Sequence, residues 1–211
     1  MVLLQAGQVT RPTFWQIGPV GTAVFYYLAA VALLVFVVGL SQRVTSYTQG
    51  RADPFPRFDD LPGRILAGAR LALSNEKQLD CDVTAGLMHA AIVWGFLTLL
   101  IGTTVLGIDM DLYRPLTGDS VFLGDFYLSD SLVMDAMGLF FLVGLAVART
   151  DRLWGKHTSR EDDLLLGSLF LLGVGGYVTE AVRVLGQNFP ADETVSFVGY
   201  FLALVGEAAA V

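Results

Sequence analysis

The chain has 211 residues, of which 54% are hydrophobic and 16% charged, and its formal net charge is −7. A composition this apolar excludes an ordinary soluble enzyme and indicates a membrane protein with several spans. The acidic balance favours no nucleic-acid partner, and the one cysteine excludes a cysteine-ligated iron–sulfur cluster built from this chain alone.

Five long apolar runs predict an all-α fold, a polytopic bundle of five transmembrane helices. Each run has about 17 to 25 residues nearly free of charge, enough to cross a hydrocarbon layer of about 30 Å. The first run lacks a basic flank and is longer than the apolar core of a signal peptide, so we expect it to be retained after an outer segment, residues 1–17. The predicted spans are 18–40, 84–108, 131–148, 163–185 and 195–211.

The distribution of basic residues predicts the orientation. Most of the thirteen lysines and arginines fall in the connections after the first and third spans. By the positive-inside rule both connections are cytoplasmic, so the N-terminus faces out and the C-terminus faces in, within a multi-pass protein of the cell membrane. Inside the first connection, 41–83, GRILAGARLALSNEK predicts a short cytoplasmic amphipathic helix. It is either a plain connector or a docking platform for a cytoplasmic redox partner.

The strongest candidate functional residue is His89, the one histidine within an apolar run. An imidazole is expensive in hydrocarbon and is kept there with a partner. Axial ligation of a haem suits it, because one ring nitrogen coordinates iron while a hydrogen bond fixes the other. The alternative is a histidine bonded to a backbone carbonyl or to a Ser or Thr hydroxyl of a neighbouring helix, without metal. A second axial ligand on the fifth helix is expected at or just beyond Val211, and His157, in a hydrophilic loop, is interpreted as solvated.

Two glycines on the same predicted helix share a face with each other. Gly95 and Gly102 are two turns apart and leave room for either a macrocycle or a partner helix.

Glu180 and Arg183, near the outer end of the fourth span, are candidates for a carrier site. Their i, i+3 spacing places them on one face with Tyr177 one turn earlier, and Glu180 is suited to accept a proton from a quinol. The alternative is an interfacial salt bridge that ends the helix. In the third span, Asp130 is predicted to be an N-cap. Asp135, one turn deeper, is predicted to have a capping or interfacial role, and the alternatives are a bond to Arg183 or a part in a proton path.

Four segments together resemble the membrane domain of the respiratory nitrate reductase gamma subunit superfamily. They are GLMHAAIVWGFLTLLIGTTVLGID, FYLSDSLVMDAMGLFFLVGLAVAR, EDDLLLGSLFLLGVGGYVTEAVRV and SFVGYFLALV. The closer likeness, over residues 18–211, is to the branch fused or paired with heterodisulfide reductase-like iron–sulfur proteins. The resemblance implies a haem b subunit of a membrane oxidoreductase in a respiratory chain, exchanging electrons between a quinone-type carrier and a cytoplasmic iron–sulfur partner.

Two departures from the family pattern matter. Members with two haems carry a further histidine along the second helix, where FLTLLIG offers only Leu99 and apolar neighbours, so one haem on the inner side is expected. The partner histidine and the iron–sulfur domain expected downstream are missing from the sequence, which implies an N-terminal fragment. The rival prediction is a non-catalytic membrane anchor of a redox complex. A small transporter is disfavoured because no inverted repeat is evident.

Overall fold

The computed structural model describes residues 9–10, 12–49, 59–153 and 160–210. Throughout this part of the chain the regular structure is helical, with an isolated antiparallel bridge between Thr10 and Leu123. The predicted all-α class is therefore confirmed.

Eight helices form in the described residues. They are α1 (Gly18–Thr48), α2 (Leu61–Ser74), α3 (Glu76–Cys81), α4 (Val83–Ile108), α5 (Arg114–Thr117), α6 (Gly124–Leu153), α7 (Arg160–Gly186) and α8 (Phe197–Ala210). A π-helical turn, Asp109–Tyr113, joins α4 to α5, and a 3₁₀ turn, Ala191–Val195, precedes α8.

Four helical segments are long and apolar enough to cross a membrane. The first is α1, the second is the continuous stretch formed by α4, the π-helical turn and α5, the third is α6 and the fourth is α7. The predicted fifth span corresponds to α8, which has 14 described residues. At 1.5 Å per residue this helix is about 21 Å long, short of a hydrocarbon layer of about 30 Å. The structure thus supports a membrane protein with four helices of spanning length, while the fifth span and the orientation stay predictions.

The described residues divide into two compact units: the first comprises 12–49 and 59–69, and the second comprises 9–10, 70–153 and 160–210. The first unit contains α1, which continues eight residues past its predicted end at residue 40. The hydroxyls of Ser41, Thr45 and Ser46 bond to carbonyls one turn earlier. These bonds let the polar end of α1 stay helical, because the side chains find partners within their own helix.

In the second unit, α4, α6, α7 and α8 pack against one another in chain order. Each neighbour runs antiparallel to the last, so α4 and α7 end where α6 and α8 begin. We call this end of the bundle the Glu193 end, and the opposite one the His89 end. The sequence-based orientation predicts that the Glu193 end faces outward and the His89 end faces the cytoplasm.

Helix α6 begins seven residues before its predicted start at residue 131. Gly124 initiates it with a positive φ of 53°, and the aromatic side chains of Phe122 and Phe126 pack edge to face across that start. Asp130 lies in the second turn, so its predicted role as the N-cap is wrong. The apolar run alone placed the start too late, because aromatic residues extend the buried surface beyond it.

The predicted amphipathic helix is present as α2, and α3 continues the connection after a break at Asn75. Asn75 has a left-handed backbone with φ 52°. Asp82 then caps α4 by accepting hydrogen bonds from the amides of Thr84 (2.9 Å) and Ala85 (3.1 Å). A helix therefore forms in the predicted segment, but it ends at Ser74, before the left-handed residue Asn75, and its cytoplasmic location stays a prediction.

Candidate functional site

His89 lies in the second turn of α4, and its ring is held by an asparagine from the preceding connection. The Nδ1 atom of His89 is 2.7 Å from the Oδ1 atom of Asn75, which is only 1% exposed. An amide oxygen can only accept a hydrogen bond, so a bond between these two atoms requires a proton on Nδ1. The partner is thus an amide from the connection, not the carbonyl or hydroxyl of a neighbouring helix that the sequence suggested.

Two further contacts seat this connection on α4. The indole Nε1 of Trp94 donates to the carbonyl of Leu73, at 3.1 Å. Gly86 lies against α3 so closely that a Cβ there would be 2.8 Å from the Cα of Leu79. The end of α2, Asn75 and α3 therefore lie against the first turns of α4, beside His89.

The chemistry of His89 fits an axial haem ligand. Ligating histidines usually donate their second ring N–H to a fixed acceptor, which sets the tautomer and the ring orientation. Asn75 provides such an acceptor. Among the described residues, no group of three His, Cys, Asp or Glu side chains could hold a metal ion.

The level of His89 in the bundle follows from the helix contacts. The amide of Val198, at the start of α8, meets Asp135, and a Cβ on Gly144 would lie 2.9 Å from the Cβ of Ala91. Asp135 and Gly144 both lie on α6 and so relate the two contacts: at 1.5 Å per residue, His89 lies roughly 17 Å from the level of Asp135. Helix α8 starts at the level of Asp135 and reaches the level of His89 at about residue 209. The sequence there, GEAAA, places alanines at that level, and alanine offers no ligand atom.

Gly95 and Gly102 lie buried in the contact between α4 and α6. A Cβ on Gly95 would be 2.7 Å from the Cβ of Phe141, and one on Gly102 would overlap the side chain of Met134. Of the two occupants considered from sequence, a partner helix is the one in contact with both glycines. The case for a cofactor at this level therefore depends on His89.

At the Glu193 end, Arg183 has a partner that the sequence did not indicate. Its Nη1 and Nη2 atoms donate to Oε1 (2.5 Å) and Oε2 (2.7 Å) of Glu193, a bidentate pair whose carboxylate side chain is 2% exposed. Glu180 is 3.6 Å from Nη2 of Arg183, with 24% of its side chain exposed. The predicted Glu180–Arg183 pair is thus present, but it is the looser of two.

Tyr127 links the same carboxylate to α6. Its buried hydroxyl donates to Oε1 of Glu193 at 2.8 Å. Glu193 belongs to the 3₁₀ turn, so the pair joins α6, α7 and the turn in one buried network. In the sequence, Glu193 lies in PADET, which has the composition of a polar loop. The one signal for this ion pair was Arg183, an arginine in an apolar helix that needs a nearby anion.

Tyr177 and Asp135 connect α6, α7 and α8 slightly deeper in the bundle. The hydroxyl of Tyr177 donates to the backbone carbonyl of Asp135. The Oδ2 atom of Asp135 accepts from the amide of Val198 at 2.8 Å, while its Oδ1 atom is buried without a partner among the described residues. Asp135 therefore caps a helix, which is one of its predicted roles, but the helix that it caps is α8.

Comparison with known proteins gives a distant redox relative. The chain is 23% identical over 167 residues to a curated protein named EtfAB:quinone oxidoreductase from Syntrophomonas wolfei. The match covers 77% of this chain and 22% of that protein, so the chain spans about a fifth of the relative's length. No protein-family profile and no solved structure matches the chain. Membership of the nitrate reductase gamma superfamily stays a prediction.

Proposed function

We propose that the chain is a membrane electron-transfer domain that works between a quinone-type carrier and a cytoplasmic iron–sulfur partner, through one haem b on the inner side. The observation that carries the proposal is His89, an imidazole in an apolar helix whose Nδ1 atom is bonded to buried Asn75. The name of the distant relative, a quinone oxidoreductase, supports the quinone half of the proposal.

His89 would hold the haem through Nε2, since Nδ1 is engaged by Asn75. When bound, haem b supplies a one-electron relay, and two axial ligands suit it to pass electrons without binding oxygen. The resemblance implies a second ligand at the level of His89. Helix α8 reaches that level at about residue 209, among its alanines, so the second ligand would come from outside the described residues.

The proposed carrier site lies around Glu180 and Arg183. Glu193 is buried and holds both guanidinium nitrogens, whereas Glu180 is the more exposed carboxylate near the same cation. Glu180 is therefore the group that a quinol hydroxyl can reach. Quinol oxidation would pass two electrons to the haem one at a time and release two protons. Glu180, beside the guanidinium of Arg183, would accept the first proton, release it to water on its exposed side and then accept the second.

The haem proposal is tested by reduced-minus-oxidised absorption of membranes that contain the protein with its natural partners. A b-type signal is expected in the wild type and is lost in His89→Ala. His157→Ala is the matched control and keeps the signal. A b-type signal that survives unchanged in His89→Ala contradicts the assignment, and a wild type without any such signal favours the cofactor-free anchor.

The carrier site is tested by quinol-dependent reduction of the haem. In Glu180→Gln the rate is expected to fall by about 100-fold or more with the absorption intact, because a positioned proton acceptor contributes about 10²–10⁴-fold. Glu161→Gln, on an exposed carboxylate at the other end of α7, leaves the rate unchanged. An unaltered rate in Glu180→Gln removes this residue from the proposal. Solute uptake by vesicles would favour transport instead.

A further inference from the structure

Asn75 contributes more than a break between α2 and α3. We propose that it is the positioning residue of the His89 site: its amide oxygen holds His89 as the Nδ1–H tautomer and leaves Nε2 as the ligating atom. The part of this proposal that concerns haem rests on the proposed function. The hydrogen bond and the tautomer do not.

The backbone at Asn75 does not by itself require an asparagine. Its φ of 52° lies in the left-handed region, where glycine is at least as favourable. Its carbonyl starts α3 by accepting from the amides of Gln78 (3.1 Å) and Leu79 (3.0 Å), a role open to any residue. What the asparagine side chain adds is the 2.7 Å bond to His89.

The burial of Asn75 makes that bond specific. The residue is 1% exposed, so its amide oxygen is shielded from water, and leaving a buried acceptor without a partner costs about 1–3 kcal/mol. The oxygen accepts one proton from the ring, which has to be on Nδ1. A neutral ring protonated at Nδ1 has its lone pair on Nε2, the atom that a metal would bind.

The tautomer can be measured without any haem. The chain has two histidines, His89 and His157, so ¹⁵N-histidine labelling of the full chain in lipid, before haem is added, gives two sets of ring signals. His89 is expected as the Nδ1–H form. Asn75→Gly keeps the left-handed backbone and is expected to give a mixture with the Nε2–H form. An Nε2–H ring in the wild type overturns the proposal.

Haem titration then tests the consequence. Asn75→Gly is expected to weaken haem binding by about 10- to 100-fold, the usual cost of losing the partner of a ligating histidine. Asn75→Asp retains an acceptor oxygen and is expected to restore binding, with a lower midpoint potential because a carboxylate makes the imidazole a stronger donor.

Trp94→Phe separates positioning from general packing. It removes the bond from Trp94 to the carbonyl of Leu73, which anchors the same connection to α4, and leaves the Asn75 bond in place. The Nδ1–H tautomer and haem binding are expected to persist in this variant. If Trp94→Phe weakens haem binding as much as Asn75→Gly while its His89 ring keeps the Nδ1–H form, positioning by Asn75 is wrong. An Nδ1–H ring in a wild type that binds no haem supports the Asn75 bond and overturns the haem proposal.

Discussion

Replacing Glu193 by alanine should be among the most damaging single changes at the Glu193 end. The variant leaves Arg183 without its bidentate partner and Tyr127 without its acceptor, both in a buried setting. Breaking a buried ion pair from one side costs about 3–5 kcal/mol, because the remaining charge is uncompensated. Glu180 lies 3.6 Å from the guanidinium and offsets only a part of this loss. We therefore expect the free energy of unfolding to fall by about 3–5 kcal/mol.

An exposed ion pair in the same bundle provides the comparison. Arg149 on α6 and Asp163 on α7 are 2.8 Å apart, with 55% and 42% of their side chains exposed. Exposed pairs contribute about 0–1 kcal/mol, so Asp163→Asn should change stability by no more than that. Both variants are measured by unfolding in mixed micelles, followed by circular dichroism.

Two outcomes decide whether the reasoning about Glu193 is right. A loss in Glu193→Ala that is no larger than in Asp163→Asn refutes it. Where Glu193→Ala fails to fold, the double variant Glu193→Leu with Arg183→Met removes both charges and should recover most of the stability, since an apolar replacement of a buried pair is often neutral. A double variant as unstable as Glu193→Ala would show that the ion pair is not the cause.

Two further predictions use the same unfolding measurement. Gly95→Ala should lower the free energy of unfolding by about 1–3 kcal/mol, because the new Cβ meets Phe141. Gly107→Ala is the control and should leave it unchanged, since no atom lies within 4 Å of the new Cβ. Equal stability of the two variants would show that α4 and α6 are less closely packed than described. Asp135→Ala should cost about 1–2 kcal/mol, because the amide of Val198 loses its acceptor, and Asp135→Asn should recover part of it. A free energy of unfolding that is unchanged in Asp135→Ala would exclude the capping role.

The helices were predictable because their signal is local. A run of about 20 apolar residues has the length and polarity of a membrane-spanning helix, and four such runs became helices of spanning length. Ends were harder. The start of α6 was placed too late because Tyr127 bonds to Glu193 and Phe126 packs on Phe122, both before the apolar run. The end of α1 was placed too early because its polar last turns bond within the helix.

The candidate site was predictable where a residue was unusual for its surroundings. His89, Glu180 and Arg183 are ionisable groups within or beside apolar runs, and each has a polar partner in the structure. The strongest partners of His89 and Arg183, which are Asn75 and Glu193, come from connections where polar residues are ordinary. Only the folded chain places those two side chains against the helices, so their sequence neighbourhoods carried no comparable signal.

The separation of the two proposed sites along the bundle has an electrical consequence. Glu180 lies near the level of Gly199, so roughly 15 Å along the helix axes separates it from His89. Under the proposed function, an electron passing between these levels crosses about half of an insulating layer of about 30 Å, while the proton stays at the Glu180 end. Moving one charge through the whole membrane potential takes about 2.3 kcal/mol per 100 mV. About half of that work would be added to or subtracted from the free energy of each electron transfer, so membrane voltage would influence the direction of electron flow.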